Sequence, residues 1–180
     1  MLLSAADSLL LVIDIQDRLL PVMKDGDAVV GNTVRLLQGA QALDVPVLLT
    51  EQYPQGLGAT VTPVRAAAGN APALPKRDFS AWGDPAIRAH ITDIGRPQVV
   101  VAGIEAHVCV LQSALQLVGA GYRVAVVSDA VSSRHADSVA IASQRMTAAG
   151  VMPVTTEMCL FEWLGTAANP AFKTVSALIK

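Results

Sequence analysis

Cys109 occupies a position in the sequence where a nucleophile could work. It lies a few residues after the apolar run 99–103, and a helix-type apolar pattern continues beyond it. This spacing predicts a thiol at the start of a helix, just past the C-terminal end of a buried strand. Active sites of open α/β sheets are built at that edge. A helix N-terminus also favours the thiolate, the nucleophilic form of cysteine, so Cys109 is a candidate nucleophile.

Two charged residues have positions from which they could serve this thiol. Asp14 follows five aliphatic residues at the end of the first apolar run, and burying a carboxylate there is costly unless it is paired or needed. Lys76 ends a long segment rich in proline and glycine. A carboxylate can carry the thiol proton, and a lysine can stabilise both the carboxylate and the thiolate. The set predicts cysteine chemistry that needs no catalytic histidine.

The elements that must position these residues follow an alternating pattern. Apolar runs of strand length alternate with helix-period segments, which is typical of a parallel α/β sheet. The pattern predicts strands at 8–15, 45–50, 97–103, 122–128 and 151–156. Helices are predicted at 28–43, 84–92, 107–119 and 135–150, with a short final helix after 169–170. We expect one domain, residues 1–180, with a three-layer α/β/α fold and a mostly parallel, Rossmann-like sheet of about six strands.

The segment 52–76 interrupts this alternation. Its prolines and glycines predict a long loop with little regular structure, and loops of that length are usually functional or mobile. Gly56 and Gly58 resemble part of a dinucleotide-binding fingerprint, but the third glycine and the following helix start are missing. Binding of NAD is therefore not expected.

Composition and charge exclude several classes of protein. The net charge is −2 and the basic residues form no cluster, which argues against nucleic acid or an anionic membrane as a partner. The mean hydropathy is +0.46, yet no apolar stretch reaches the ~18 residues of a membrane span. We interpret the excess as buried strands and contacts in a homo-oligomer. The N-terminal sequence lacks the pattern of a signal peptide, which predicts a cytoplasmic protein.

The second cysteine and three aromatic residues complete the survey. Cys159 is expected to be structural, and neither a disulfide nor a zinc site is expected from the spacing of the cysteines. Tyr53, Phe79 and Trp82 cluster around the long segment. We expect them to line a substrate pocket, although they could instead form a small satellite core. His107 is more readily a pocket wall or a backbone hydrogen-bonding group than a partner of the thiol.

Three motifs, in order along the chain, resemble the isochorismatase-like cysteine hydrolases, a family that includes nicotinamidases. They are Asp14-Ile15-Gln16, Lys76-x-x-Phe79-Ser80-Ala81 and Gly103-Ile104-Glu105-Ala106-His107-Val108-Cys109-Val110. The resemblance covers nearly the whole chain. Residues 50–58 and 103–109 are most similar to the branch called isochorismatase domain-containing proteins, whose substrates are poorly defined.

The resemblance implies a catalytic triad of Asp14, Lys76 and Cys109. It also implies a cis peptide between Ile104 and Glu105, so that the amides of Glu105 and Cys109 form an oxyanion hole. Cys109 would attack a carbonyl of a small substrate, Asp14 would pass the proton to the leaving amine, and water would hydrolyse the thioester. We expect Gln16, Tyr53, Phe79, Trp82 and His107 to contact the substrate.

The chain departs from nicotinamidases in one respect. No histidine occurs before His90, so the metal site of those enzymes is not expected, and we predict neither a metal nor another cofactor. The presence of Cys109 favours hydrolysis of an amide-type C–N bond. One alternative is hydrolysis of a vinyl ether in an isochorismate-like dicarboxylate, for which Arg18, Arg77 and Arg134 are the candidate ligands. Another is an interaction protein that retains the fold without catalysis.

Overall fold

Six parallel strands form one central sheet in the computed structural model, which describes residues 2–180. The strands are β1 (Ser8–Ile13), β2 (Val47–Gln52), β3 (Ala73–Lys76), β4 (Gln98–Ile104), β5 (Arg123–Ser132) and β6 (Met152–Val154). Their order across the sheet is β3-β2-β1-β4-β5-β6, and every neighbouring pair is parallel. The predicted fold class is confirmed, with β1 and β4 at the centre.

Helices cover both faces of this sheet. They are α1 (Gly26–Ala42), α2 (Pro54–Leu57), α3 (Thr62–Ala67), α4 (Pro85–Ile94), α5 (Leu111–Gly119), α6 (Ala136–Ala148), α7 (Thr156–Leu164) and α8 (Phe172–Ala177). One core contains side chains of α1, α3, α7 and α8, and the other contains side chains of α4, α5 and α6. Strand β1 is buried along its whole length because its alternate side chains, such as Leu10 and Leu11, enter the two cores.

The prediction that 52–76 is an irregular loop is wrong. The segment contains α2, α3 and β3. Pro54 and Pro63 lie in the first turns of α2 and α3, where a missing N–H is tolerated, so they begin helices instead of breaking them. Pro75 lies in β3, an edge strand, where proline is also tolerated.

The helix α7 was not predicted either. The strand expected at 151–156 ends at Val154, and the Thr155 side chain accepts a hydrogen bond from the Met158 amide at 3.2 Å. Threonine at this position caps a helix N-terminus by satisfying a free backbone donor. The apolar run therefore changes from strand to helix at Thr155.

Gly103 allows the two central strands to meet next to the candidate site. Its φ is +123°, and a Cβ built there would lie 2.0 Å from the Ile13 carbonyl oxygen. Because this neighbour is backbone of the central strand β1, it cannot move aside without disturbing that strand.

Gly103→Ala is expected to lower the free energy of unfolding by about 3 kcal/mol or more, measured by urea denaturation. Gly119→Ala is the matched control, since a Cβ there meets no atom within 4 Å. Equal stability of the two variants would contradict this account.

Candidate active site

The three predicted triad residues meet at the C-terminal edge of the sheet. Asp14 directly follows β1, Lys76 is the last residue of β3, and Cys109 follows β4 after a short turn. Because all six strands are parallel, their carboxyl ends lie at one edge. Residues that are far apart in sequence are thereby brought together in one site.

Asp14 and Lys76 form a buried ion pair. Lys76 Nζ lies 2.7 Å from Asp14 Oδ2, and both side chains are fully buried. Asp14 Oδ1 accepts a hydrogen bond of 2.7 Å from Thr50 Oγ1. The energetic cost of burying two charges is large, and pairing with further hydrogen bonds offsets much of it. Such a pair adds little to the stability of the fold, so its presence at this position needs another explanation.

The backbone at Asp14 turns sharply where β1 ends. Its φ is +54°, in the left-handed region that aspartate tolerates better than most residues. The Asp14 amide still donates to the Thr50 carbonyl at 3.1 Å, which anchors the turn to β2. Non-glycine residues held in this region concentrate at functional sites.

Cys109 lies in a π-helical turn, Ala106–Val110, between β4 and α5. Turns of this kind are frequent at functional sites. Ser113 Oγ donates to the Cys109 carbonyl at 2.6 Å and accepts from the Ala81 amide at 2.8 Å. Ser113 thus ties the cysteine turn to the segment that follows Lys76.

The surroundings of Cys109 favour its protonated thiol form over the thiolate. Burial raises its pKa to about 12, the Asp14 carboxylate adds to the increase, and Lys76 opposes it. This corrects the expectation that the helix N-terminus would favour the thiolate. Asp14 Oδ2 receives no hydrogen bond within residues 2–180 apart from its contact with Lys76. That oxygen is available to take the thiol proton.

Alkylation of Cys109 should therefore depend steeply on pH. Since the thiol pKa is raised to about 12, the thiolate fraction should rise tenfold per pH unit from pH 7 to pH 10, with no plateau in that range. Iodoacetamide labelling followed by peptide mass spectrometry measures this rate. A plateau below pH 9 would mean that the thiol has an ordinary or lowered pKa.

The turn after β4 begins with a cis peptide between Ile104 and Glu105, as the resemblance implied. The backbone amide of Glu105 donates to no acceptor within residues 2–180. The Glu105 carboxylate, nearly buried, accepts two hydrogen bonds from Arg134, at 3.0 and 3.1 Å, and this contact raises the pKa of the Arg134 guanidinium. The pair ties this turn to the segment that follows β5.

His107 is bound to Ser133. Its amide donates to Ser133 Oγ at 3.4 Å, and its Nδ1 lies 2.8 Å from the same oxygen. Because Ser133 Oγ accepts from the amide, its own proton can be donated to Nδ1, which leaves the ring proton on Nε2. The ring is fixed by Ser133, in agreement with a wall or hydrogen-bonding role.

Tyr53 and Phe79 lie around Lys76 and are substantially exposed. The guanidinium of Arg77 stacks over the Tyr53 ring at 4.2 Å, and the Phe79 carbonyl accepts a hydrogen bond from Lys76. Both rings are thus accessible from solvent, and the Phe79 backbone contacts Lys76 directly.

The structure places Trp82 and Gln16 elsewhere. Trp82 packs edge-on against Tyr122 with ring centroids 5.2 Å apart, and Tyr122 precedes β5, so the pair lies at the opposite edge of the sheet. Gln16 is fully buried, and its side chain bonds to the backbone of Gln52 and Gly58. Trp82 therefore packs against the core that contains side chains of α4, α5 and α6, and Gln16 supports the site from within.

A model of the isochorismatase domain matches residues 8–158 of the chain. The chain belongs to the isochorismatase family. Isochorismatase domain-containing protein 1 of Danio rerio is 37% identical over 179 residues, which are 99% of this chain and 62% of that protein. The chain thus spans less than two thirds of that relative's length.

Solved structures of isochorismatase-like proteins have the same fold. The MAR1 ribonuclease from Caenorhabditis elegans superposes with a TM-score of 0.94 at 35% identity, covering 99% of this chain and 92% of that one. The YcaC gene product of Escherichia coli, described as an octameric hydrolase of unknown specificity, has a TM-score of 0.94 at 26% identity. The overlap covers 99% of this chain and 89% of that one.

Within this family member, the sequence did not reveal the residues that surround the ion pair. Thr50 lies within β2 and Gln52 is its last residue, and Ser113 and Ser133 hold the two turns. The signal available for Thr50 and Gln52 was the resemblance of residues 50–58 to the family.

Among residues 2–180, no cluster of three or more metal-ligating side chains exists. No helix in that range is long and apolar enough to cross a membrane.

Proposed function

We propose that the chain is a cysteine-dependent hydrolase that cleaves the C–N bond of a small amide through a thioester. The observation that carries this proposal is the fully buried Asp14–Lys76 pair, whose two charges both act on the Cys109 thiol. A buried ion pair beside a nearly buried thiol stabilises the fold little, whereas it provides a proton acceptor and a counter-charge for a nucleophile. Membership of the isochorismatase family supports a hydrolase.

In the proposed reaction, Cys109 Sγ bonds to the amide carbon while its proton moves to Asp14 Oδ2. The negative charge that forms on the carbonyl oxygen is stabilised by the amides of Glu105 and Cys109, as in other oxyanion holes. Asp14 then gives the proton to the leaving nitrogen as the C–N bond breaks, and a thioester remains on Cys109. A water molecule loses a proton to Asp14 and attacks the thioester. Release of the acid returns that proton to the thiol.

The raised thiol pKa is consistent with this order of steps. A permanently ionised thiol would not need a base, whereas a thiol with a pKa of about 12 must lose its proton as it attacks. Lys76 stabilises the anion of whichever partner lacks the proton, first Asp14 and then Cys109. The pair therefore acts on the thiol in the attacking step, where the charge develops.

Hydrolysis of an isochorismate-like dicarboxylate is less favoured. That substrate requires cations, and each of the three candidate arginines contacts another group of the protein. Arg18 donates to the Gly56 carbonyl at 2.7 Å, Arg77 stacks on Tyr53, and Arg134 is paired with Glu105. Because these arginines already have partners within the protein, a neutral substrate is favoured over a dianion.

The similarity to the ribonuclease of C. elegans makes RNA the second substrate to test. RNA binding depends on neutralising phosphates with basic side chains, and this chain has a net charge of −2 with 13 basic and 15 acidic residues. That balance favours a small, uncharged substrate over RNA.

The proposal also covers the assembly, the location, the substrate class and the cofactor requirement of the protein. The octameric relative supports a homo-oligomer of this chain, and the excess of apolar residues agrees with that. A cytoplasmic location and a small-molecule substrate are predictions from the sequence and stand as part of the proposal. Neither a cofactor nor a metal takes part in the steps proposed.

Release of ammonia from a panel of small primary amides tests the reaction class. We expect at least one amide to be hydrolysed by the wild-type protein and by Cys159→Ala, and not by Cys109→Ala. The panel includes a vinyl-ether dicarboxylate and a single-stranded RNA as separate arms. Cleavage of either of these alone, dependent on Cys109, would overturn the amide assignment. Inactivity in every arm at high protein concentration would favour a non-catalytic interaction protein.

A further inference from the structure

The ammonium group of Lys76 is surrounded by more acceptors than the ion pair requires. In addition to Asp14 Oδ2, its Nζ contacts Gln52 Oε1 at 2.6 Å and the carbonyl oxygens of Phe79 and Asp78 at 3.0 and 3.2 Å. An ammonium has three protons to donate. Of these four acceptors, only Asp14 carries a formal charge, and only Gln52 is another side chain.

The amide of Gln52 is fixed in one orientation. Its Oε1 faces Lys76, while its Nε2 donates to the Arg77 carbonyl at 2.8 Å. A flipped amide would direct an NH₂ group at an ammonium and an oxygen at a carbonyl, so both contacts would become repulsive. The assignment therefore follows from the chemistry of the two partners.

Gln16 holds the backbone of Gln52 from the other side. Gln16 Oε1 accepts from the Gln52 amide at 2.7 Å, and its Nε2 donates to the Gln52 carbonyl at 3.0 Å. Gln16 is fully buried and also bonds to the Gly58 carbonyl at 2.7 Å. Two buried or half-buried glutamines thus form a rigid bracket behind the lysine.

We infer that Gln52 is a positioning residue, which holds the Lys76 ammonium between Asp14 and Cys109 with a neutral acceptor. This inference rests on the proposed function, in which Lys76 stabilises the anionic thiol. A carboxylate in the place of Gln52 would hold the lysine equally well. It would also share the positive charge and leave less of it for the thiolate.

The rate of Cys109 alkylation by iodoacetamide as a function of pH tests this role without requiring a substrate. Gln52→Glu keeps the length of the side chain and adds a negative charge, so the rate at pH 8 should fall about tenfold and the profile should move to higher pH. Gln52→Met keeps the length and removes the acceptor, so the rate should fall by about threefold. Peptide mass spectrometry separates Cys109 from Cys159.

Gln55→Glu is the matched control. Gln55 lies three residues further along and is exposed, and the four acceptors around the Lys76 ammonium do not include it. The same added charge should change the alkylation rate there less than twofold. We therefore expect the order of rates to be wild type and Gln55→Glu, then Gln52→Met, then Gln52→Glu.

Two results would overturn the inference. If Gln52→Met reacts as fast as the wild type, the acceptor does not hold Lys76. If Gln52→Glu reacts no more slowly than Gln52→Met, the neutrality of the side chain is irrelevant. Thermal unfolding identifies a variant that misfolds. Because each variant is also compared separately with the wild type, the remaining variant still tests the inference. Failure of the amide hydrolysis itself would be seen in the ammonia assay, which is independent of alkylation.

Discussion

Replacing Cys109 with alanine should lower the turnover of the amide substrate at least about 10³-fold, because loss of a covalent nucleophile removes the whole acylation route. The fold should be retained. The substitution removes a thiol that is buried beside a carboxylate, a setting that raises its pKa to about 12, so its loss should not destabilise the fold. Steady-state ammonia release and urea denaturation of the same preparation measure the two effects.

Cys159→Ala is the matched control for this prediction. Cys159 is fully buried in the core that includes α1 and α7, and burial raises its thiol pKa well above the ordinary value. Its replacement should reduce stability by leaving a small cavity and should leave turnover within about twofold. The two cysteines would then show opposite patterns. A Cys109→Ala variant with more than a tenth of wild-type turnover would contradict the proposed nucleophile.

Breaking the ion pair should be more damaging to stability than removing it. Asp14→Asn leaves the Lys76 ammonium buried without its counter-charge, and Lys76→Met leaves the Asp14 carboxylate in the same situation. Each single variant should lose about 3–5 kcal/mol of unfolding free energy. The double variant contains neither buried charge, so it should be more stable than either single variant by about 2 kcal/mol.

Turnover should not follow stability in this series. All three variants should lose at least about 10³-fold in turnover, because the double variant has neither a proton acceptor nor a counter-charge. Urea denaturation and ammonia release of the four proteins form a double-mutant cycle. Additive losses of stability would mean that the two charges do not interact. Recovery of turnover in the double variant would mean that the pair serves only the fold.

The sequence was sufficient to predict the framework of the site. The two central strands are continuous apolar runs, and the residues after them, Asp14 and the turn before Cys109, are marked by a sudden change to polar or small side chains. Parallel topology then places both at one edge of the sheet. The fold class and the location of these residues follow from pattern alone. The single-domain assignment of residues 1–180 remains a prediction.

The parts that could not be predicted depend on contacts between distant segments. Proline is common in loops, but it is also tolerated in the first turn of a helix and on an edge strand. The sequence of 52–76 does not show which of these applies, because that depends on how the segment packs against the neighbouring strand. Gln52 becomes important because β2 and β3 pair side by side. Trp82 was expected in the pocket because it is close in sequence to the segment 52–76. Instead it packs against Tyr122, at the opposite edge of the sheet.

The protonation state of Cys109 shows the same limitation most clearly. The start of a helix favours a thiolate by a local effect that the sequence reveals. Burial and a nearby carboxylate act in the opposite direction and raise the pKa of the thiol, and neither can be read from sequence spacing. This reversal gives Asp14 its proposed role as the acceptor of the thiol proton.

The most direct test of the account is a search for the acyl-enzyme. The wild-type protein, in excess over an amide found in the ammonia screen, would be quenched with acid at a series of times and its intact mass determined. We predict a transient mass increase equal to the acyl group, mapped to the peptide that contains Cys109, appearing with ammonia and disappearing with release of the acid. Cys109→Ala should show no such species. Ammonia release without any adduct at Cys109 at any quench time, or an adduct that persists in Cys109→Ala, would contradict the central claim.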